Sequence, residues 1–404
     1  MTGAVMERGK QVELSKLAKA IQPSATMALD AKAKQLKADG LDVLSFSIGE
    51  PDFDTPDNIK QAGIDAVKAG KTKYIPASGT PAIRKAIANK LKRENNLDYK
   101  FTDIVATAGA KTALSIAFMA ILDKGDEVII PAPYWVSYTE QIAIAGGKSV
   151  IIDITEASGF KATVADFEKV LTPKTKAIII NSPNNPTGAV YNKSELQAIA
   201  DFAVKNNLYV ISDEVYEHFN YTDDPTVSIA SLGEKIKDHT IIIGAGSKTY
   251  SMPGWRLGFL ASNSTLAKAF GNIASHLTGC LSSITDAAGA ASFNCDLTDV
   301  NKMKKEFIKR REYLLKRIEA IDGLSIYPPK GAFYAFINIK HFMDNKAFKN
   351  SSEFCDKLLS EGLISLTPGD AFGADGFVRF SFAASMKNIE KGLDRLEEFC
   401  KNYC

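Results

Sequence analysis

The chain has 404 residues, long enough for two domains with a substantial hydrophobic core. Apolar residues make up 45% of it and charged residues 24%, as in ordinary soluble globular proteins. The net charge of +2 argues against a nucleic-acid-binding protein and against a protein that binds a membrane surface.

Cysteine, histidine and hydropathy patterns narrow the class further. The five cysteines are odd in number and include no Cys-x-x-Cys pair, which favours a reducing compartment over a disulfide framework. The four histidines lie far apart in sequence, so no metal site is expected. The N-terminus lacks a signal-peptide core, and no apolar run approaches the roughly 20 residues of a membrane span. A cytoplasmic protein is therefore expected.

The predicted elements begin with helices and then alternate between strands and helices. After a mobile start, helices are expected over residues 14–20, 25–38 and 56–69, near Pro81 and over 113–122, with Pro23 breaking the first. Strands are expected over residues 43–47, 104–107, 127–130, 149–154, 177–181, 209–212, 240–243 and 259–261. From residue 104 onwards the Val and Ile runs do not alternate with polar residues, which predicts a largely parallel sheet between helix layers.

Beyond about residue 294 the pattern changes. A long charged helix over residues 299–321 leads to strands over 324–327, 333–339 and 377–382 and helices over 352–361 and 386–401. This mixture predicts a second, smaller α+β domain that the N-terminal segment completes. The expected division is an N-terminal arm with part of the small domain (1–55), a large domain (56–298) and a small C-terminal domain (299–404).

The stretch over residues 241–258 carries the first chemical signal. A turn at residues 244–246 delivers Ser247 and Lys248 at the carboxyl end of a strand, where open α/β sheets bind ligands. A lysine in a small, partly dry pocket can titrate low enough to be a free amine, and a free amine attacks carbonyl carbon. Arg256 suits a phosphate dianion. This pair suggests an aldehyde-bearing phosphate ester such as pyridoxal phosphate. A solvated loop is the alternative; a nucleotide phosphate loop fails on spacing, since Ser247 separates the glycine from the lysine.

Three more strand ends carry residues that suit a pyridine ring. Asp213 and Tyr216 follow one strand, Trp135 follows another, and Asn185 lies in an irregular turn over residues 181–188. A carboxylate keeps the ring nitrogen protonated, a phenol and an amide face the ring oxygen, and a flat aromatic side chain stacks on the ring. Each residue also has a structural interpretation: a helix cap for Asp213, core aromatics for Tyr216 and Trp135, and a turn residue for Asn185.

Six motifs together resemble a known family: NSPNNPTG, SDEVYEHF, SKTYSMPGWRLGF, SIGEPDFDTP, KYIPASGTPAIRKAI and PYWVSY. The chain resembles fold-type I pyridoxal phosphate aminotransferases, most of all the bacterial-type aspartate aminotransferase subgroup, over roughly residues 14–399. The resemblance implies an α/β fold, in which helices sandwich a mostly parallel sheet, together with a smaller α+β domain. It also implies a homodimer that acts on amino acids and 2-oxo acids.

The resemblance assigns roles around the cofactor ring. Lys248 matches the lysine that bonds to the cofactor and acts as general base. Asp213 matches the partner of the ring nitrogen, and Trp135 the stacking residue. Tyr216 and Asn185 match the partners of the ring oxygen.

The resemblance also assigns contacts to the cofactor phosphate. These are Gly109, Ala110, Lys111, Ser247 and Arg256. Tyr74 matches a tyrosine that reaches the phosphate of the neighbouring subunit, which is why a homodimer is implied. Many aminotransferases have a hydroxyl residue three positions before the lysine, where this chain has Ala245. Phosphate binding is therefore expected to depend more on Ser247 and on backbone N–H groups.

Substrate contacts follow from the same match. Arg379, in VRFSFA, matches the arginine that grips the substrate α-carboxylate, and Gly49 matches a backbone contact to the substrate. Trp135 and Asn185 are expected to contact it too. Lys111 matches a lysine that reaches the distal carboxylate of a dicarboxylic substrate, unless it is a solvated loop charge. The expected reaction is reversible ping-pong transfer from L-aspartate to 2-oxoglutarate, giving oxaloacetate and L-glutamate.

Three alternatives remain at this point. Aromatic amino acids or prephenate are further candidate substrates within the same subgroup. A β-eliminating lyase on the same fold would use the same cofactor pocket. A regulator built on this fold would carry an additional DNA-binding module, for which the roughly 40 residues before the first strand offer neither room nor a basic patch.

Overall fold

The computed structural model of the protein describes residues 13–21 and 25–404. The predicted mobile start and the predicted helix break at Pro23 lie outside these residues. The helices are α1 Lys16–Ala20, α2 Ala25–Ala38, α3 Asp57–Lys68, α4 Pro81–Asn95, α5 Ala110–Ile121, α6 Ser137–Ile144, α7 Val164–Val170, α8 Lys193–Lys205, α9 Glu234–His239, α10 Gly246–Thr249, α11 Ser264–Leu277, α12 Ser283–Asn294, α13 Thr298–Glu319, α14 Lys340–Asp344, α15 Ser351–Glu361 and α16 Met386–Lys401. Within the described residues, none is long and apolar enough to cross a membrane.

The strands of the described residues form three sheets. They are β1 Leu44–Ser45, β2 Ile104–Thr107, β3 Glu127–Ala132, β4 Lys148–Asp153, β5 Thr175–Asn181, β6 Tyr209–Asp213, β7 Thr240–Ala245, β8 Gly258–Ala261, β9 Ser325–Ile326, β10 Tyr334–Asn338, β11 Ile364–Ser365, β12 Thr367–Pro368 and β13 Phe377–Ser381. The large sheet has seven strands in the order β2-β8-β7-β6-β5-β3-β4. Among the strands that the structure describes in this sheet, β8 alone runs against its neighbours, so the predicted mostly parallel sheet is confirmed.

Residues of the large sheet alternate between apolar cores on its two faces. Ile241 and Ile243 of β7 belong to a core that includes helix α5, whereas Ile242 belongs to the core on the other face. Ile129 of β3 packs with residues of helix α8 on that other side of the sheet. Burial on both faces explains why the inner strands β3, β5, β6 and β7 are mostly apolar, whereas the edge strand β4 is largely exposed. It also leaves only the strand ends free to carry polar side chains.

The small sheet is antiparallel and has the order β12-β13-β10-β9. Close to it, β1 from the N-terminal segment pairs in parallel with β11, with Leu44 opposite Ile364. The N-terminal segment is thus attached to the C-terminal part of the chain, and helix α13 connects that part to the large sheet. The domain boundaries after residues 55 and 298 stay a prediction.

Two local expectations are corrected by the structure. The predicted turn at residues 244–246 is wrong: Gly244 and Ala245 continue β7 by pairing with β8, and Gly246 begins α10. A Cβ atom on Gly244 would lie 2.2 Å from the ring of Phe259, so this glycine is required by close packing and not by a turn. The helix predicted from residue 113 begins earlier, at Ala110, with Gly109 (φ 92°) before it.

Strands β11 and β12 were not expected from the sequence. Each has only two residues, which is too short for a period-two pattern to show. Elsewhere the predicted strands and helices are present, with ends that shift by a few residues.

Candidate active site

A cavity of about 440 Å³ opens where the carboxyl ends of the large-sheet strands meet the small sheet. It is lined by Lys34, Ser47, Ile48, Gly49, Glu50, Ala110, Lys111, Leu114, Trp135, Tyr138, Asn181, Asn185, Asp213, Val215, Tyr216, Ala245, Ser247, Lys248, Pro253, Arg256, Tyr334 and Arg379. Nearly all residues that the sequence analysis singled out are in this set. Gly109 lies directly behind the lining, and Tyr74 lies outside it with 98% of its surface exposed.

Asp213 is the last residue of β6 and is buried at the cavity floor. Tyr138 donates its hydroxyl proton to Oδ2 of Asp213 at 2.6 Å, and the N–H of Val215 lies 3.4 Å from Oδ1. Burial raises the pKa of Asp213 to about 6, while the hydrogen bonds from Tyr138 and Val215 act in the opposite direction. With a pKa of about 6, the carboxyl is mostly ionised at neutral pH and can pair with a cationic group.

Lys248 lies in α10, three residues beyond the end of β7. Its ammonium donates to the carbonyl oxygen of Gly49. Burial lowers the pKa of Lys248 to about 8; Glu50 opposes this shift, and Arg379 and Arg256 add to it. At neutral pH a useful fraction of this amine is therefore neutral and able to accept a proton or attack a carbonyl carbon.

Two phenols connect the large sheet to the small one at the cavity wall. The hydroxyls of Tyr216, after β6, and Tyr334, in β10, lie 2.7 Å apart. The pKa of Tyr216 lies well above its ordinary value, mainly because the phenol is buried and also because Tyr334 is close. Tyr216 therefore keeps its hydroxyl proton and remains a hydrogen-bond donor. A Cβ atom on Gly49 would lie 2.0 Å from the hydroxyl of Tyr334, so no larger residue fits at position 49 without movement.

The start of helix α5 forms a corner suited to an anion. Ala110 and Lys111 occupy its first turn and line the cavity, and the first N–H groups of a helix have no acceptor within the helix. A Cβ atom on Gly109 would lie 2.5 Å from a terminal nitrogen of Arg256, and one on Gly258 would lie 2.4 Å from the N of Ala110. The two glycines thus allow an arginine and a helix N-terminus to approach one another closely, which suits a phosphate group.

Arg379 of β13 is almost fully buried on the opposite side of the cavity. Nη1 donates to Oδ1 of Asn185 at 2.9 Å, and Nη2 donates to the carbonyl oxygen of Ser47 at 2.5 Å. The guanidinium also lies 4.5 Å from the ring centroid of Tyr334. Nε of Arg379 has no hydrogen-bond partner among the described residues. A planar fork with an unused donor suits a carboxylate.

Trp135 and Lys111 complete the wall near α5. The ammonium of Lys111 lies 5.0 Å from the ring centroid of Trp135. Burial first, and the charge of Arg256 second, lower the pKa of Lys111. This cation remains partly exposed to the cavity.

Sequence reasoning missed several lining residues, of which Tyr138 and Tyr334 make the most direct contacts. Tyr138 comes three residues after Trp135, and their rings pack edge to face at 5.4 Å. Helical spacing within PYWVSY is a signal that could have found it. Tyr334 pairs with Ser381, two residues from Arg379, so the period-two pattern of antiparallel strands places it on the cavity side with the arginine.

Comparisons with known proteins agree with this geometry. The model of the family described as aminotransferase class I and II matches residues 41–396. An aspartate aminotransferase of Bacillus sp. (strain YM-2) is 42% identical over 388 residues, covering 96% of this chain and 99% of that protein. A probable aspartate/prephenate aminotransferase of Aquifex aeolicus is 44% identical over 383 residues, covering 94% and 96% respectively.

A solved structure extends the comparison to the fold. The crystal structure of the aspartate aminotransferase from Rhizobium meliloti matches with a TM-score of 0.93 at 35% identity, covering 97% of this chain and 100% of that one. The fold predicted by resemblance, a mostly parallel sheet between helices with a smaller α+β part, is thereby confirmed.

The contact between Tyr138 and Asp213 gives a testable prediction. Tyr138→Phe removes the only side-chain donor to the carboxylate of Asp213 among the described residues. Since a hydrogen bond to a charged group contributes about 1.5–3 kcal/mol, we expect the pKa of this carboxyl to rise by about one to two further units. Carbon-13 NMR of the cofactor-free protein across pH measures it. Tyr134→Phe, which changes a neighbouring tyrosine outside the cavity, is the control. Equal pKa values in the two variants would contradict the prediction.

Proposed function

Since this chain belongs to the family of class I and II aminotransferases, we propose that it transfers the amino group of L-aspartate to 2-oxoglutarate. The products are oxaloacetate and L-glutamate, and the cofactor is pyridoxal phosphate. The observation that carries the proposal is one half-buried amine, Lys248, whose pKa is lowered to about 8 in the same cavity as the carboxylate of Asp213 and the guanidinium of Arg379. An amine, an anion and a carboxylate-binding fork are the groups that amino transfer requires.

The residues present fit pyridoxal phosphate. The first turn of α5, Arg256 and Ser247 would hold the phosphate, because Gly109 and Gly258 leave room there that a Cβ atom would fill. Asp213 would hold the ring nitrogen, and Trp135 would cover the ring. When bound, the cofactor supplies a carbonyl carbon for the amine and a ring that accepts electrons from a substrate carbon.

Lys248 carries the proton in this proposal. Its Nζ is partly deprotonated at neutral pH, so it accepts the proton from the substrate Cα and later returns it to a carbon atom. Tyr216 and Asn185 would donate to the ring oxygen; Tyr216 is held by Tyr334, and Asn185 by Arg379. Both donors are therefore fixed before substrate enters, which lowers the entropic cost of the reaction.

The two carboxylates of aspartate would be bound at opposite ends of the cavity. The α-carboxylate would pair with Arg379, whose Nε offers an unused donor among the described residues. The distal carboxylate would pair with Lys111, which lies over Trp135 at the mouth near α5. The Aquifex relative named for aspartate and prephenate keeps prephenate as a second candidate substrate.

We further propose a homodimer in which Tyr74 completes the site of the partner. This residue matches a family tyrosine in the motif KYIPASGTP and protrudes between α3 and α4 with 98% exposure. A lone exposed tyrosine is ordinary on a protein surface, so the motif carries this proposal and the exposure permits it.

The first test concerns Lys248. Protein incubated with pyridoxal phosphate and reduced with borohydride is expected to carry the adduct on this residue, located by mass spectrometry. Aspartate is expected to convert the bound cofactor to its amine form, seen in the absorption spectrum, whereas in a lyase the cofactor would not be converted.

Lys248→Ala is expected to lower kcat by at least about 10³-fold, because both nucleophile and base are lost. Lys193→Ala, which changes an exposed lysine of α8, is the control. A colourless, unmodified protein would rule out the proposal.

Lys111 tests the substrate assignment. Lys111→Ala is expected to lower kcat/KM for aspartate by about 10- to 100-fold, because this factor corresponds to the free energy of one hydrogen bond between charged groups. Activity with alanine, which has no distal carboxylate, is expected to change little. Lys124→Ala, just beyond the far end of α5, should leave both activities unchanged. An unaltered ratio of aspartate to alanine activity in Lys111→Ala would show that this ammonium does not choose the substrate.

Hybrid dimers test whether Tyr74 acts across the interface. Subunits with Tyr74→Ala and subunits with Lys248→Ala are each expected to have low activity. A hybrid of the two contains one site with an intact Lys248 and the partner's intact tyrosine, so activity should return on mixing after dissociation. If Tyr74 served its own subunit, or if the chain were a monomer by analytical ultracentrifugation, mixing would restore nothing.

A further inference from the structure

A buried cluster of charged side chains lies outside the cavity, between helix α4 and the segment after β6. Lys90 of α4 is 1% exposed and contacts the carboxylate of Glu217 and, at 2.8 Å, Oδ1 of Asn95. Glu217 also accepts a hydrogen bond from Asn95 at 2.7 Å, and Glu94 lies 3.5 Å from the ammonium of Lys90. The reaction proposed above uses none of these groups.

His218 extends the cluster towards α10. Its Nε2 lies 3.0 Å from Oε2 of Glu94, and its Nδ1 lies 3.1 Å from Oγ1 of Thr249. Because a carboxylate only accepts hydrogen bonds, Nε2 of His218 must be the donor to Glu94. In the neutral imidazole Nδ1 then accepts the hydroxyl proton of Thr249. We refer to Glu94, His218 and Thr249 as the histidine line.

The carboxylate at the end of the histidine line is held ionised. Burial raises the pKa of Glu94, but His218, Lys90 and Arg93 together outweigh it and bring the pKa to about 2. Glu217 likewise has a lowered pKa, since Lys90 and His218 act against its burial. The ionised carboxylate of Glu94 accepts the hydrogen bond from Nε2 of His218 and thereby orients the imidazole.

The order of groups resembles a nucleophilic triad, but the geometry excludes that role. Thr249 is 3% exposed and does not line the cavity, so its hydroxyl cannot meet a substrate there. The histidine line joins the segment of Tyr216 to the segment of Lys248. His218 lies two residues after Tyr216, and Thr249 directly follows Lys248.

Helix α10 depends on such external contacts. It has only four residues, and a single helical turn is marginal by itself. On one side Thr55 donates to the carbonyl oxygen of Ser251, just after the helix, at 2.8 Å. On the other side the histidine line reaches Thr249 of the helix itself, while Lys248 of the helix donates to the carbonyl oxygen of Gly49.

We propose that the histidine line is a positioning device, which fixes α10, and with it Nζ of Lys248, relative to the phenol of Tyr216. This inference rests on the proposed role of Lys248. Thr249 and His218 act through their neighbours and touch neither substrate nor cofactor. Loss of the line loosens the amine in its pocket and admits water to it, while the cavity keeps its shape for substrate.

The test compares Thr249→Val, which removes the hydroxyl at constant volume, with Thr249→Ser, which keeps it. Thr240→Val is the matched control, since Thr240 is also buried but its hydroxyl donates to the carbonyl oxygen of Ile236, at the end of β7 away from Lys248. Should Thr249→Val not fold, Thr249→Ala removes the same hydroxyl.

Two readouts decide the outcome. The first readout is the pKa of Lys248 in cofactor-free protein, measured from the pH dependence of its labelling by a small amine-reactive reagent and mass spectrometry. In Thr249→Val we expect this pKa to rise by about half a unit or more, towards that of a solvated lysine. In the loaded enzyme, kcat for aspartate should fall about tenfold while KM stays within about twofold. Thr249→Ser should restore both values.

The proposal is overturned if Thr249→Val lowers the melting temperature but leaves the labelling profile and kcat at those of Thr240→Val. It is also overturned if serine does not restore what valine loses. Failure of the parent protein to bind pyridoxal phosphate would reject the proposed function instead, because the labelling profile of Lys248 is measured without cofactor.

Discussion

The candidate site depends on the desolvation of one amine, that of Lys248. In bulk solvent a lysine is fully protonated at neutral pH and is neither base nor nucleophile. Burial shifts Lys248 towards neutrality, the nearby arginines Arg256 and Arg379 push further in the same direction, and Glu50 limits the shift. The same burial raises the pKa of Asp213. Burial in one cavity thus shifts the two pKa values in opposite directions: the amine becomes a better base, and the carboxylate of Asp213 binds a proton more tightly.

The large sheet explains how these groups come together. Parallel strands buried on both faces leave polar residues only at their ends, so Asp213 and Lys248 arrive at the same edge from neighbouring strands. The small sheet contributes a buried arginine, Arg379, whose planar fork suits a carboxylate. Contacts between Arg379 and Asn185, and between Tyr334 and Tyr216, connect the two sheets across the cavity.

Much of this arrangement could be predicted from the sequence, because strand-end residues follow long apolar runs that are easily recognised. Asp213 and Lys248 were found in that way. Tyr138 and Tyr334 were missed since each lies within a helix or strand, where an aromatic side chain is usually part of a core. The turn assigned to residues 244–246 was wrong because a glycine required by the ring of Phe259 looks the same in sequence as one required by a turn. The role of Tyr74 and the domain boundaries remain predictions.

The pairing of β1 with β11 has a consequence for synthesis on the ribosome. Every strand of the large sheet has emerged once residue 261 is out, whereas β1, near the start of the chain, has to wait for residues 364 and 365. Such long-range pairing forms late, and nascent chains fold from their N-terminal parts onwards. The phosphate-suited corner at the start of α5 is therefore assembled before Arg379 of β13 is in place. Strand β1 remains unpaired for most of translation, until β11 has emerged.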